Sequence, residues 1–235
     1  MTARKWRFEI SNLKFICVHL CSSVVLFLVC SGCQQVSNVG AFGQNLMNFF
    51  SGNTPLNAAK QMEDRYFPDE RREGIVRLAN QSFGLREPYV DRYRQIAQLD
   101  SDWLVRATAI RSLNRARDAS ATPIFIKALA DQNEVVRVEA AKALANIPDP
   151  NAAAPLLRLI ADPNESRDVR IWSAHALRHY RNLQVARTLA TQLGGREFGL
   201  AWQAHKSLVS ITGRDLAYNE AAWLDYFTGP ERPFG

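Results

Sequence analysis

Four side chains able to carry positive charge recur in one register of this chain: Arg111, Lys142, His175 and Lys206, at intervals of 31, 33 and 31 residues. One interval earlier the position is Val76. Cations spaced along one surface can capture an extended acidic partner, either an acidic peptide or an anionic polymer. Two tryptophans, Trp172 and Trp202, stand in adjoining registers. Large aromatic side chains beside cations are common anchors of a binding surface. The plainer alternative is that the charges form a solvated face and the tryptophans are packing residues.

His175 and His179 are four residues apart, a spacing at which two imidazoles on one helix face can share a metal. The run between them, H-A-L-R-H, lacks the glutamate of the metalloprotease pattern, and a third ligand would have to come from His205. Ordinary structural or exposed histidines are the expectation, with no metal and no cofactor. There is no phosphate-cradling glycine loop, no G-x-S-x-G elbow and no registered carboxylate pair. The sequence therefore predicts a protein that is not an enzyme.

What positions these side chains is a repeat. The stretch Val136 to Leu144, V-R-V-E-A-A-K-A-L, returns in similar form along the chain. Its final leucine aligns with Leu78, Leu113, Leu177 and Leu208. Four residues before each leucine stands a small residue: Gly74, Ala109, Ala140, Ser173 and Ala204. Seven before it stand Arg71, Arg106, Arg137 and Arg170, with Ala201 breaking the series. Six before the later arginines stand Asp100, Asp131 and Asn164. The leucine would fill the space between stacked helices, and the small residue would let a neighbour approach. The acidic residue would cap the helix or pair with an arginine of its own or the next unit. A second helix precedes each motif, as in Glu87–Ala97, Thr122–Leu129 and Ala154–Ile160, with proline near the first turn of several.

The pattern D-x-x-x-x-V-R-x-x-A-x-x-x-L after a P-x-L-x-x-L type helix resembles HEAT repeats. The likeness is to the short bacterial type also seen in phycobilisome-lyase-like proteins, and it spans about residues 65–212. It implies an all-α fold, a right-handed α-solenoid of about five HEAT-like helix pairs. Its second helices would line a concave face, and a C-terminal capping helix containing Leu216, Trp223 and Phe227 would close the end. It implies no single function. By fold analogy with lyases it leaves one alternative open, a small-ligand carrier or enzyme with a pocket near Trp172 and Trp202. Self-association of a structural protein is another.

The N-terminus reads as an export signal. A basic region is followed by the apolar run Phe15–Val29, shorter than the roughly 20 residues of a membrane-spanning helix. Then comes C-S-G-C, Cys30 to Cys33. Small residues before Cys33 resemble the lipobox of bacterial lipoproteins, which implies cleavage before Cys33 and its lipidation. The departure is Cys30, where that family usually has an aliphatic residue. An uncleaved anchor and ordinary secretion are the alternatives. All four cysteines lie in the first 33 residues, so the body has no disulfide, thiolate metal site or cysteine nucleophile of its own. Of the net charge of +6, residues 1–32 carry +3, and the remainder is too small to argue for nucleic acid.

The expected division is a lipoprotein signal peptide (1–32), the lipidated cysteine and a tether (33–55), the solenoid (56–213), and a cap and tail (214–235). The tether carries Phe42, Leu46, Phe49 and Phe50, which could share one face of a short helix. The expected function is a membrane-anchored protein–protein interaction scaffold of the bacterial envelope. It would bind another envelope protein, or an acidic extended partner, on the concave face. The expected location is the periplasmic face of the bacterial cell membrane, or the outer membrane if the cell has one, since Gln34 after Cys33 lacks the aspartate retention signal of some lipoproteins.

Overall fold

A computed structural model describes residues 54–230 and 233–234. The export signal, Cys33 and the aromatic residues of the tether lie outside these.

Among the described residues there are eleven α-helices and no strands. They come as five pairs and a final single helix. The pairs are α1 (Pro55–Met62) with α2 (Pro68–Ala79), α3 (Tyr89–Leu99) with α4 (Trp103–Ala116), and α5 (Thr122–Ala128) with α6 (Glu134–Asn146). They continue with α7 (Ala153–Ala161) and α8 (Arg167–Ala176), then α9 (Leu183–Ala190) and α10 (Phe198–Thr212). The last helix, α11, is Glu220–Thr228.

Local sequence sets the helix starts. Asp102 caps α4 by accepting from the amides of Leu104 and Val105 at 2.9 and 3.0 Å. Asn133, Ser166, Asn182 and Asn219 cap α6, α8, α9 and α11 in the same way. The acidic column therefore does not cap. Asp100 and Asp131 sit two residues upstream of the caps and accept from the amides of Asp102 and Asn133. At the other end of α10, Gly213 takes a left-handed conformation (φ 76°). A side chain there would meet no neighbour, so the glycine serves the backbone and not the packing.

One continuous apolar core runs from Ala58 to Phe227. The five repeat leucines are all within it, at most 1% exposed. Burying each contributes about 1.5–3 kcal/mol. The small residues beside them are also buried and let neighbouring helices approach, as α1 does at Gly74; α2, α4, α6, α8 and α10 pack each against the next. The first helices of successive pairs touch one another less. The row of second helices is thus the tighter, inner side of the stack, as a concave face requires.

The arginine column stitches the units together. Arg71 donates to Asp100 of the next unit at 2.8 and 2.9 Å. Arg106 does the same to Asp131. Arg137 reaches Glu165 at 2.7 Å, since the aligned residue is Asn164. Arg170 reaches Gln192 and Glu197 at 3.0 and 3.4 Å. Arg71, Arg106 and Arg137 also donate back to a carbonyl of their own turn. At the far end Trp223 and Phe227 of α11 are buried and Leu216 packs against the core. Phe234, in the tail, packs there too.

Candidate functional site

The register of basic residues falls on the second helices, one residue per helix from α4 to α10. Spacing places them there because each unit repeats the same helix phase relative to its buried leucine. Arg111 projects from α4 with its side chain 60% exposed. Its Nη2 and Nε donate to Glu139 of α6 at 3.0 and 3.2 Å. Lys142 Nζ donates to the same carboxylate at 2.9 Å. Glu139 is almost wholly buried. Burial pushes its carboxyl up, but the bonds from Arg111 and Lys142 outweigh that and hold it below its ordinary value of 4.5.

Lys142 also lies 5.3 Å from the ring centre of Trp172 on α8. Trp172 in turn meets His175 edge-on at 5.3 Å between ring centres. On α10, Lys206 Nζ sits 4.4 Å from the ring centre of Trp202. The structure therefore brings Arg111, Lys142, Trp172 and His175 into one continuous row, with Lys206 and Trp202 as a cation–π pair at its end. Trp172 is half-buried, while Trp202 is exposed.

His175 is not a fourth cation. Burial, then the charges of Arg178, His179 and Lys206, lower its pKa from the ordinary 6.5. Arg178 Nη1 bonds His175 Nε2. A guanidinium can only donate, so this contact, like the burial, favours the neutral ring. His179 Nε2 lies 2.8 Å from the Ala145 carbonyl oxygen and 3.2 Å from Arg178 Nε, so the guanidinium stands beside both imidazoles. His205 pairs with Asp215 at 2.8 Å and stacks near Tyr218. His175 and His179 thus share Arg178 while His205 is engaged elsewhere, and among the described residues no group of three or more His, Cys, Asp or Glu is placed to hold a metal.

Three residues of this surface escape a reading by register. Glu139 is the buried counter-charge, although its place three residues before Lys142 could have signalled a pair. Phe198, 71% exposed, has its ring centre 6.3 Å from that of Tyr218, which lies beside His205. Phe198 stands four residues before Trp202, on the same helix face. A shallow cleft of about 330 Å³ lies between α6 and α8, lined by Glu134, Val138, Glu139, Lys142, Arg167 and Asp168 among others. Trp172, Trp202, His175 and His205 do not line it. No described helix is long and apolar enough to cross a membrane.

Comparison with known proteins agrees with the helical fold. The family model of HEAT repeats matches residues 90–178. Among curated proteins there is no match. Among solved structures, the X-ray structure of Escherichia coli YibA is similar with a TM-score of 0.56 at 20% identity, covering 88% of this chain and 77% of that one. Human deoxyhypusine hydroxylase, solved with glycerol, is similar with a TM-score of 0.46 at 15% identity, covering 69% of this chain and 75% of that one. The expectation that the chain is not an enzyme is corrected: a HEAT-like helical fold is no ground for excluding catalysis. At that distance the likeness assigns no activity either. Residues 90–178 match the HEAT-repeat model, and the described residues have a HEAT-like helical fold.

Proposed function

We propose that this protein is an interaction scaffold of the bacterial envelope, lipidated at Cys33, whose concave face captures an extended acidic segment of another envelope protein. The carrying observation is the row from Arg111 to Lys206. Three cations stand on three of the four second helices from α4 to α10, and one buried carboxylate, Glu139, leaves them a net positive charge. Arg111 and Lys142 are held in place by Glu139, and Lys206 by Trp202, so little side-chain freedom remains to be lost on binding. The exposed rings of Trp202, Phe198 and Tyr218 adjoin the row and offer apolar anchors. A segment lying along the row would meet charge first and aromatic surface at its α10 end. An anchor at Cys33 would raise the local concentration of scaffold and partner at one membrane.

Site-specific photo-crosslinking in intact cells tests the face. A crosslinker at Trp202 should trap a peptide containing a run of acidic residues, and one at Lys127, exposed on α5, should not. Equal yields from both positions would reject the reading. Palmitate labelling lost in Cys33→Ser tests the anchor.

A further inference from the structure

The turns that join the two helices of a unit lie along one edge of the stack, and in the first two units that edge is apolar. Tyr66 and Phe67, between α1 and α2, are 81% and 63% exposed. Leu99 and Trp103, at the turn between α3 and α4, are 81% and 39% exposed. The equivalent turns of the next two units are polar or small: Ala130, Asp131 and Gln132, then Asp162, Pro163 and Asn164. Leaving four large apolar side chains in water at one place costs free energy that the later units avoid, so an exposed patch of this kind marks a contact surface.

The two apolar turns are held rigidly. Asp64 Oδ1 accepts from the amides of Tyr66 and Phe67, each at 2.8 Å, which fixes the turn that carries both rings. Arg71 donates to the Asp64 carbonyl at 3.1 Å and to Asp100 at 2.8 and 2.9 Å, tying the first turn to the second. The patch is thus pre-formed across two units.

Its place in the chain points to the occupant. These are the two units nearest the N-terminus, and Cys33 stands 21 residues before Thr54, where the described chain begins. A chain of that length spans at most about 70 Å. A lipid at Cys33 would keep the first units within that distance of a bilayer, and the later units progressively farther. The composition also suits a membrane interface, where tyrosine and tryptophan sit at headgroup level and phenylalanine and leucine reach below. Exposed Arg65 precedes the two rings and exposed Asp69 and Glu70 follow after Pro68, so the patch offers no net positive charge to an anionic surface.

We propose that the turn edge formed by Tyr66, Phe67, Leu99 and Trp103 docks on the interfacial zone of a zwitterionic membrane. The inference rests on the anchor reading, and it adds that the solenoid is oriented on the bilayer and does not swing freely from a tether.

The test uses the full-length chain purified from membranes and reconstituted in phosphatidylcholine vesicles with brominated acyl chains. Retention on vesicles after a salt wash reads the anchor, and bromine quenching of Trp103 emission, assigned with Trp103→Phe, reads the edge. We expect retention together with quenching. Phe67→Ser/Leu99→Ser should lose the quenching with no shift in thermal midpoint, since both side chains are solvent-exposed. Retention without quenching overturns docking and leaves the anchor. Quenching that is undiminished in the double variant overturns it, as does quenching that requires phosphatidylglycerol. A dimer in detergent that the double variant abolishes would assign the patch to self-association instead, and also overturns it. Quenching before the wash with loss of protein after it supports docking and rejects the anchor. Neither signal rejects both.

Discussion

Glu139 decides how the concave row behaves. It is a buried carboxylate that accepts from two cations on the same face. Glu139→Gln leaves Arg111 and Lys142 without their counter-charge and should cost about 1.5–3 kcal/mol, the range for hydrogen bonds to charged groups. Urea denaturation at neutral pH measures it. The pH dependence has a definite sign. The folded carboxyl lies below its ordinary 4.5, so it contributes stability above that value, and the contribution is lost as pH falls through the folded pKa. The gap between wild type and Glu139→Gln should therefore be full at neutral pH and close below about pH 4.5. A gap that widens on acidification would contradict the assignment. The sequence made Arg111, Lys142 and Lys206 legible, because an exposed column keeps the period of the repeat. It did not reveal that the pKa of His175 is lowered, since that depends on burial and on Arg178. It also left Glu139 unread, because the counter-charge sits in the register of Trp172.

At the scale of elements, the sequence predicted helix pairs, the buried leucines and a ladder of arginines, and the structure contains all three. The detail of the ladder was less legible. The aspartates were expected to cap helices or to pair. They pair and organise their own turns, while the caps fall two residues later, at Asp102 and Asn133. Spacing alone cannot separate those roles, because both put a carboxylate just before a helix. Gly74 gives a sharper test of the packing. A methyl group there would lie 2.4 Å from the Met62 backbone nitrogen and 2.5 Å from the Ala58 carbonyl oxygen. Both are backbone atoms of α1 and cannot rotate aside. Gly74→Ala should therefore push α1 from α2 and cost about 1–3 kcal/mol, as overpacking does, even though alanine favours helix. A stabilised variant in thermal unfolding would contradict the close approach of these helices.

Across the whole molecule, each unit contacts mainly its neighbours, so stability is a sum of local terms. Removing the end cap should be felt at that end first. Trp223 is fully buried and donates from Nε1 to the Ala217 carbonyl at 2.9 Å. Trp223→Ala should cost about 3–5 kcal/mol. Hydrogen exchange should accelerate in α9 and α10 before it does in α4 and α6. Uniform acceleration would show that the stack unfolds as one block.

The most direct test of the scaffold reading is the affinity of a labelled polyglutamate peptide for the full-length chain, measured by fluorescence anisotropy. Lys142→Glu/Lys206→Glu should weaken binding at least about tenfold, or roughly 1.4 kcal/mol. Binding should also fall as salt is raised. Lys127→Glu, on the outer layer, should leave it nearly unchanged. Equal losses from the two sets of changes, or no binding by the unaltered chain at low salt, would contradict the concave row as a site for acidic partners.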